Sequence, residues 1–159
     1  MNRKNLPAEE IALRLLARRD HSRQELRQKL LMRKVSPAEA DAVLERLAAQ
    51  GLVNDARYAR RMAVHLSAEK LLGPRRIREH LARRGVSADL LGAAEEAAER
   101  ETPPEKRVQK LAESKLKRRT LEELAPPEKR RLARFLYQRG FSWDDIQGFF
   151  HKAGGGFEE

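Results

Sequence analysis

One spaced pattern occurs three times along the 159-residue chain, and it restricts the fold more than any other feature of the sequence. Leu26, Leu30, Val35 and Ser36 align without gaps with Ile77, Leu81, Val86 and Ser87, and again with Leu132, Leu136, Phe141 and Ser142. Each serine is followed, four and seven places on, by apolar or small residues: Ala40 and Val43, Leu91 and Ala94, Ile146 and Phe149. Spacings of four and seven mark one face of a helix, and serine is a favoured N-cap. The pattern therefore reads as a helix, a short turn and a capped helix, used three times. Small repeats of this kind gain enough buried surface only by stacking on their neighbours.

One further helix precedes each pair, at roughly 7–18, 54–69 and 104–118. The chain accordingly reads as three tandem three-helix repeats at 1–53, 54–101 and 102–153, with a flexible tail at 154–159. The expected fold is all-α, an elongated array of helix-turn-helix-like units. All seven prolines (Pro7, Pro37, Pro74, Pro103, Pro104, Pro126 and Pro127) sit where a helix can begin, because a first-turn residue needs no N–H partner. Ser22 to Glu25, Ser36 to Glu39 and Thr102 to Glu105 have the form of capping boxes. Gly85 and Gly140 stand where a left-handed C-cap is wanted; Lys34 takes that place in the first copy, which predicts a more strained or longer turn there. The segment from Lys117 to Pro127 reads as the loosest connection, with room for an extra helical turn.

Charge divides each repeat. The formal net charge is +10 and the chain is 36% charged, which favours polyanionic partners. The second helix of each repeat is basic: Arg23, Arg27, Lys29, Arg33 and Lys34; Arg75, Arg76, Arg78, Arg83 and Arg84; Lys129, Arg130, Arg131, Arg134 and Arg139. The third helix is acidic instead, with Glu45 in the first repeat and Glu95, Glu96 and Glu99 in the second. An acidic third helix rules out the usual arrangement in which that helix enters the DNA major groove. The fifteen cations are expected to form a basic stripe for phosphates or an acidic protein, and the four glutamates an acidic face for a partner.

Catalytic signatures are missing. With no cysteine, thiolate catalysis, disulfides and zinc-thiolate sites are excluded. No phosphate-binding glycine loop or metal-binding helix pair is present, so no cofactor is expected. His21, His65, His80 and His151 are scattered; His21 reads as a local hydrogen-bonding group beside the N-cap Ser22. Tyr58 falls in the apolar register of its helix, and Trp143 is expected in a small core with Phe141 and Phe149. No signal peptide or membrane-length apolar run is seen, so a cytoplasmic, monomeric non-enzyme is expected.

Ala17-Arg18-Arg19-Asp20-His21-Ser22 with Glu25-Leu26 and Lys29-Leu30 resembles the opening motif of the RecX family of bacterial recombination regulators. Gly51-Leu52-Val53-Asn54-Asp55 with Arg57-Tyr58-Ala59, and Gly73-Pro74-Arg75-Arg76-Ile77 with Leu81, Gly85 and Val86, are similar to its second and third motifs. Phe135-Leu136, Arg139-Gly140-Phe141-Ser142 and Ile146 resemble its C-terminal repeat. The resemblance implies a protein that binds the RecA recombinase and its filaments on single-stranded DNA, lodges in the filament groove, and limits filament growth with the associated recombinase, ATPase and co-protease activities. A basic nucleic-acid-binding protein acting on DNA without RecA is the alternative.

Overall fold

In the computed structural model of the chain, residues 7–154 are described, and the expectations for the first six residues and for the tail beyond 154 lie outside them. Nine α-helices and no strand occur among the described residues: α1 (Ala8–Arg18), α2 (Arg23–Met32), α3 (Pro37–Ala49), α4 (Asp55–Ala68), α5 (Pro74–Arg83), α6 (Ala88–Glu101), α7 (Pro104–Leu116), α8 (Pro126–Gln138) and α9 (Trp143–Lys152). Proline sets the start of five helices: Pro7 and Pro103 are the N-caps of α1 and α7, and Pro37, Pro74, Pro104 and Pro126 open α3, α5, α7 and α8.

The serine caps form as their spacing predicts. Ser22, Ser36 and Ser142 accept hydrogen bonds from the backbone N–H of Glu25, Glu39 and Asp145 at 3.1, 3.2 and 3.1 Å. Only Asp145 reciprocates as a full box, accepting from the Ser142 N–H at 3.0 Å. Thr102 corrects the reading. Its N–H still donates to the Ala98 carbonyl at 2.9 Å, so it closes α6, and Pro103 takes the cap of α7 without a side-chain bond.

The described chain divides into two compact units. The first holds the described residues through Ala59 together with Leu81–Leu91, and the second holds Arg60–His80 and the described residues from Gly92 onward. In the first unit Ala12, Leu26, Leu30, Ala40, Val43, Leu44 and Leu47 are buried in one core. In the second, Val108, Leu111, Ala112, Leu132, Leu136, Phe141, Ile146 and Phe150 form another, with Phe149 only partly buried at its edge. Leu121, within the loop expected to be loose, is buried in that core; the segment is a series of turns and carries no helix. Arg119 fastens it by a bidentate pair to Glu128 at 2.8 and 3.1 Å.

The three turns share left-handed backbone, with φ of 64° at Lys34, 78° at Gly85 and 98° at Gly140. Lys34 is thus strained as its sequence predicts, but its turn is no longer than the others. Because a left-handed residue with a Cβ costs about 1–2 kcal/mol and glycine recovers most of it, Lys34→Gly should raise stability by about 1 kcal/mol, read as a shift in urea midpoint. No gain would show that Lys34 makes a compensating contact.

Candidate macromolecular interface

The histidine and serine of the opening motif build a buried polar knot in the first unit. Ser22 caps α2 and also donates its hydroxyl to the Arg84 carbonyl. His21, buried, bonds through Nδ1 to the Arg19 carbonyl at 2.9 Å. The Glu25 carboxylate, buried as well, pairs with Arg19 at 2.5 Å and with Arg84 at 3.0 Å. Burial by itself would raise the pKa of Glu25, yet the hydrogen bond and charge of Arg19, with His21 and Arg84, hold it below the ordinary carboxylate value. Burial and the Arg19 charge push the His21 pKa down, keeping the ring neutral. This arrangement orders the turn that leads into α2.

Both shifts act on stability in one direction. A depressed folded-state pKa means that the unfolded chain binds protons more readily, so stability is complete above the ordinary pKa and is lost as pH falls through the folded one. The melting temperature should therefore begin to fall below the ordinary His21 value of 6.5 and fall faster below the ordinary Glu25 value of 4.5. Glu128, drawn down to about 2 by its hydrogen bond to Arg119, would hold its pair to lower pH. A Glu25→Gln variant should lose much of the acid-side slope; an unchanged slope would remove Glu25 from the cause.

The predicted basic stripe is distributed among three different tasks. Several of its arginines are joined to the acidic helices of their own repeat: Arg23 to Glu45 at 2.5 Å, Arg27 to Asp41 at 2.7 Å, and Arg78 to Glu95 at 2.8 and 2.6 Å. Glu96 lies 3.9 Å from Arg100, and Glu99 stays exposed. A second set satisfies backbone carbonyls at helix ends. Arg75 donates to the Tyr137 carbonyl at 2.6 Å, Arg76 to that of Gln138 at 2.9 Å, and Arg139 to that of Lys70. Arginine suits this role because its planar fork can serve a carbonyl and a carboxylate at once; Arg75 and Arg76 also hold Glu79 at 3.1 and 3.0 Å.

Most of the remaining cations are in no ion pair among the described residues, and the structure gathers them in two places. In the first unit Lys29, Arg33 and Arg83 line an open groove of about 530 Å³ with Gln24, Gln28, Met32 and the mutually paired Arg19, Glu25 and Arg84, while Lys34 stands exposed beyond the end of α2. In the second unit Lys129, Arg130, Arg131 and Arg134 lie on α8, and none of them is in an ion pair among the described residues. The three arginines of this set are exposed, and Lys129 is half-buried.

Two features depart from what the sequence led us to expect. Arg107, read only as part of a helix, is fully buried, donates to the Leu72 carbonyl and lies 5.9 Å from the centre of the Phe141 ring. Trp143 corrects the expectation of a core residue: it is 46% exposed and stacks on Tyr137, itself 42% exposed, at 5.4 Å between ring centres. The register carried the signal. Trp143 occupies the place that Pro37 and Ala88 fill in the other copies, immediately after the repeated serine, and both of those are exposed.

No cluster of metal-ligating side chains and no helix long and apolar enough to cross a membrane occurs among the described residues. Comparison with known proteins assigns the architecture. Residues 8–47, 54–94 and 103–150 match the first, second and third three-helix domains of RecX in order. The chain is 38% identical to the regulatory protein RecX of Halorhodospira halophila over 86% of its own length and 81% of the relative's. It is 40% identical to that of Leptothrix cholodnii over 92% and 88% of the two lengths. The crystal structure of RecX from Lactobacillus salivarius has the same fold, with a TM-score of 0.80 at 20% identity, covering 92% of this chain and 94% of that one. Three collinear domain matches and curated relatives above one-third identity over most of both chains lead to one conclusion: the chain belongs to the RecX family of regulatory proteins.

Proposed function

We propose that this chain binds RecA and its filaments on single-stranded DNA, occupies the filament groove, and inhibits filament extension and the ATPase, recombinase and co-protease activities that depend on it. The observation that carries this reading is the ordered set of three RecX domain matches across one chain. Two basic clusters with cations unspent on internal pairs support it, since a groove-binding regulator must meet phosphates or acidic protein surface. We take the working form to be a cytoplasmic, monomeric non-enzyme built of repeats at 1–53, 54–101 and 102–153, with Glu45, Glu95, Glu96 and Glu99 facing the partner as exposure allows. The exposed α8 arginines also favour a second reading, direct action on DNA without RecA.

Titrating RecA ATP hydrolysis on single-stranded DNA at two salt concentrations, with DNA binding by the protein alone measured in parallel, separates these readings. Inhibition at concentrations well below those that coat free DNA is the expected result. Inhibition only at DNA saturation would replace the first reading with the second, and full RecA activity at several-fold excess would overturn it.

Charge reversal should discriminate between the arginine sets. Arg130→Glu, Arg131→Glu and Arg134→Glu together should weaken binding at least tenfold and leave the melting temperature within a few degrees, because exposed positions away from specific contacts carry little stability. Arg75→Glu, Arg76→Glu and Arg78→Glu together should destabilise the fold, since they sever carbonyl and carboxylate bonds. A stable protein from the second set would show that those bonds contribute nothing.

A further inference from the structure

The loop between α7 and α8, with parts of both helices, encloses an open cavity of about 330 Å³ whose floor is Leu132 and whose walls are Leu116, Leu124 and Phe135. Leu132 is buried, whereas the other three pack against the core of the second unit and still show apolar surface to solvent. Apolar side chains gathered round one concavity and edged by charge mark a binding surface in a way that scattered single ones do not.

The rim of this cavity is basic. Lys115 from α7, Arg119 from the loop and Arg131 from α8 line it, against the single carboxylate of Glu128. Lys115 and Arg131 are exposed and in no ion pair among the described residues, and the Lys115 ammonium lies 4.5 Å from the centre of the Phe135 ring. Glu128 is satisfied from within: it accepts two bonds from Arg119 and one from the Ala125 N–H at 2.9 Å. Arg119 also donates to the Glu123 carbonyl at 2.8 Å, and Leu121 is buried, so the loop side of the cavity is ordered before any ligand arrives. That lowers the entropic cost of binding. The sign of the rim does not merely follow the net charge of the chain. A second cavity, which shares Leu116 and lies between α7 and α9, is lined by Glu105, Glu113, Asp144 and Asp145 against Lys106 and Lys152.

An aliphatic floor suits an apolar side chain, and cations drawn from three elements suit more than one anion around it. A nucleic acid offers phosphates and flat bases, and the one ring here already carries an ammonium on its face. A fatty acid offers an apolar chain with one anion at its end. We propose that this cavity is a docking site for an acidic peptide segment of a partner protein: a leucine or phenylalanine enters among Leu116, Leu124, Leu132 and Phe135, and flanking carboxylates pair with Lys115 and Arg131. The site goes beyond the regulatory reading above and does not depend on it.

The full chain is titrated, by fluorescence anisotropy, with two labelled peptides in which one phenylalanine or one leucine stands between runs of glutamate. Binding of at least one is expected. It should weaken by roughly tenfold or more when serine replaces the anchor, because burial of a large apolar side chain is worth at least that factor. Lys115→Glu with Arg131→Glu should weaken it by about fivefold or more, since two attractions become repulsions. Arg130→Glu with Arg134→Glu changes the net charge equally but lies outside the cavity, and should cost about twofold at most in physiological salt. No binding by either peptide, equal binding of the serine peptide, or equal losses in the two double variants overturns the proposal. Displacement of the peptide by oligothymidylate or by laurate at equal or lower concentration would assign the cavity to a polynucleotide or to an anionic amphiphile and overturn it too. If Lys115→Glu with Arg131→Glu fails to fold, the serine comparison on the parent chain still decides. A chain that inhibits RecA ATP hydrolysis but binds neither peptide would lose this site and keep the regulatory reading, whereas peptide binding without inhibition would do the reverse.

Discussion

Gly73→Ala should lower the stability of the second unit by about 3 kcal/mol, the upper end of what overpacking a close-packed site costs. Gly73 is buried, and its N–H donates to the Arg139 carbonyl at 2.8 Å. A Cβ at this position would lie 2.2 Å from the Gly140 carbonyl carbon, 2.4 Å from its oxygen and 2.4 Å from the Phe141 nitrogen. All three are backbone atoms, which cannot swing aside as a side chain can. The close approach must open, and with it the neighbouring bond from the Arg75 N–H to the Gly140 carbonyl at 3.2 Å. Gly92→Ala is the control: nothing lies within 4 Å of its added Cβ, and a mid-helix alanine should gain about 0.5–1 kcal/mol over glycine. Urea denaturation of both variants reads the difference, and equal midpoints would mean that the 73 to 140 approach is not tight in solution.

Arg107→Ala should cost about 4 kcal/mol, combining a cavity in the core with loss of the hydrogen bond to the Leu72 carbonyl. The Arg107 Nη1 group serves the Leu72 carbonyl, while Nε and Nη2 have no hydrogen-bond partner. Burial lowers the pKa of this guanidinium, and Glu99, Asp145 and Glu105 act against that from a distance. The charge is thus held at some expense, and a neutral side chain of similar length should be tolerated much better. Arg107→Met should lose only about 1–2 kcal/mol, mainly the carbonyl hydrogen bond. The ranking is the test: if the alanine variant is no less stable than the methionine one, Arg107 does not fill the core as described.

What the sequence made legible was whatever depends on neighbours close along the chain. Helix starts follow from proline and from serine caps, and the left-handed turns at Lys34, Gly85 and Gly140 follow from their place after an apolar pair. Thr102 misled because its capping pattern was complete, while its own N–H closes the end of α6 and Pro103 was a competing cap. The candidate site was harder to read for a different reason. Arg23, Arg27 and Arg78 are indistinguishable from Arg130 and Arg134 in composition, and only the rotation of one helix against another decides which of them meets a carboxylate. Gly73 stands before a proline at a helix start, and nothing near it in the sequence tells that its lack of a side chain is needed by a backbone more than sixty residues away. Trp143 could have been placed correctly had register outweighed the expectation that tryptophan is buried.

The three left-handed turns suggest how a repeated sequence loses its likeness. A Cβ at Gly85 would meet the Gln24 side chain, and one at Gly140 would meet the backbone nitrogen and side chain of Arg76, whereas Lys34 stands exposed. Identical turns therefore live under different tenancy: two are occupied on their outer side and one is not. Where nothing docks, the only charge against a side chain is backbone strain of about 1–2 kcal/mol, which a stable domain can carry. Divergence among copies is then a map of what touches each copy, and an alignment of a chain with itself holds tertiary information that no single copy contains.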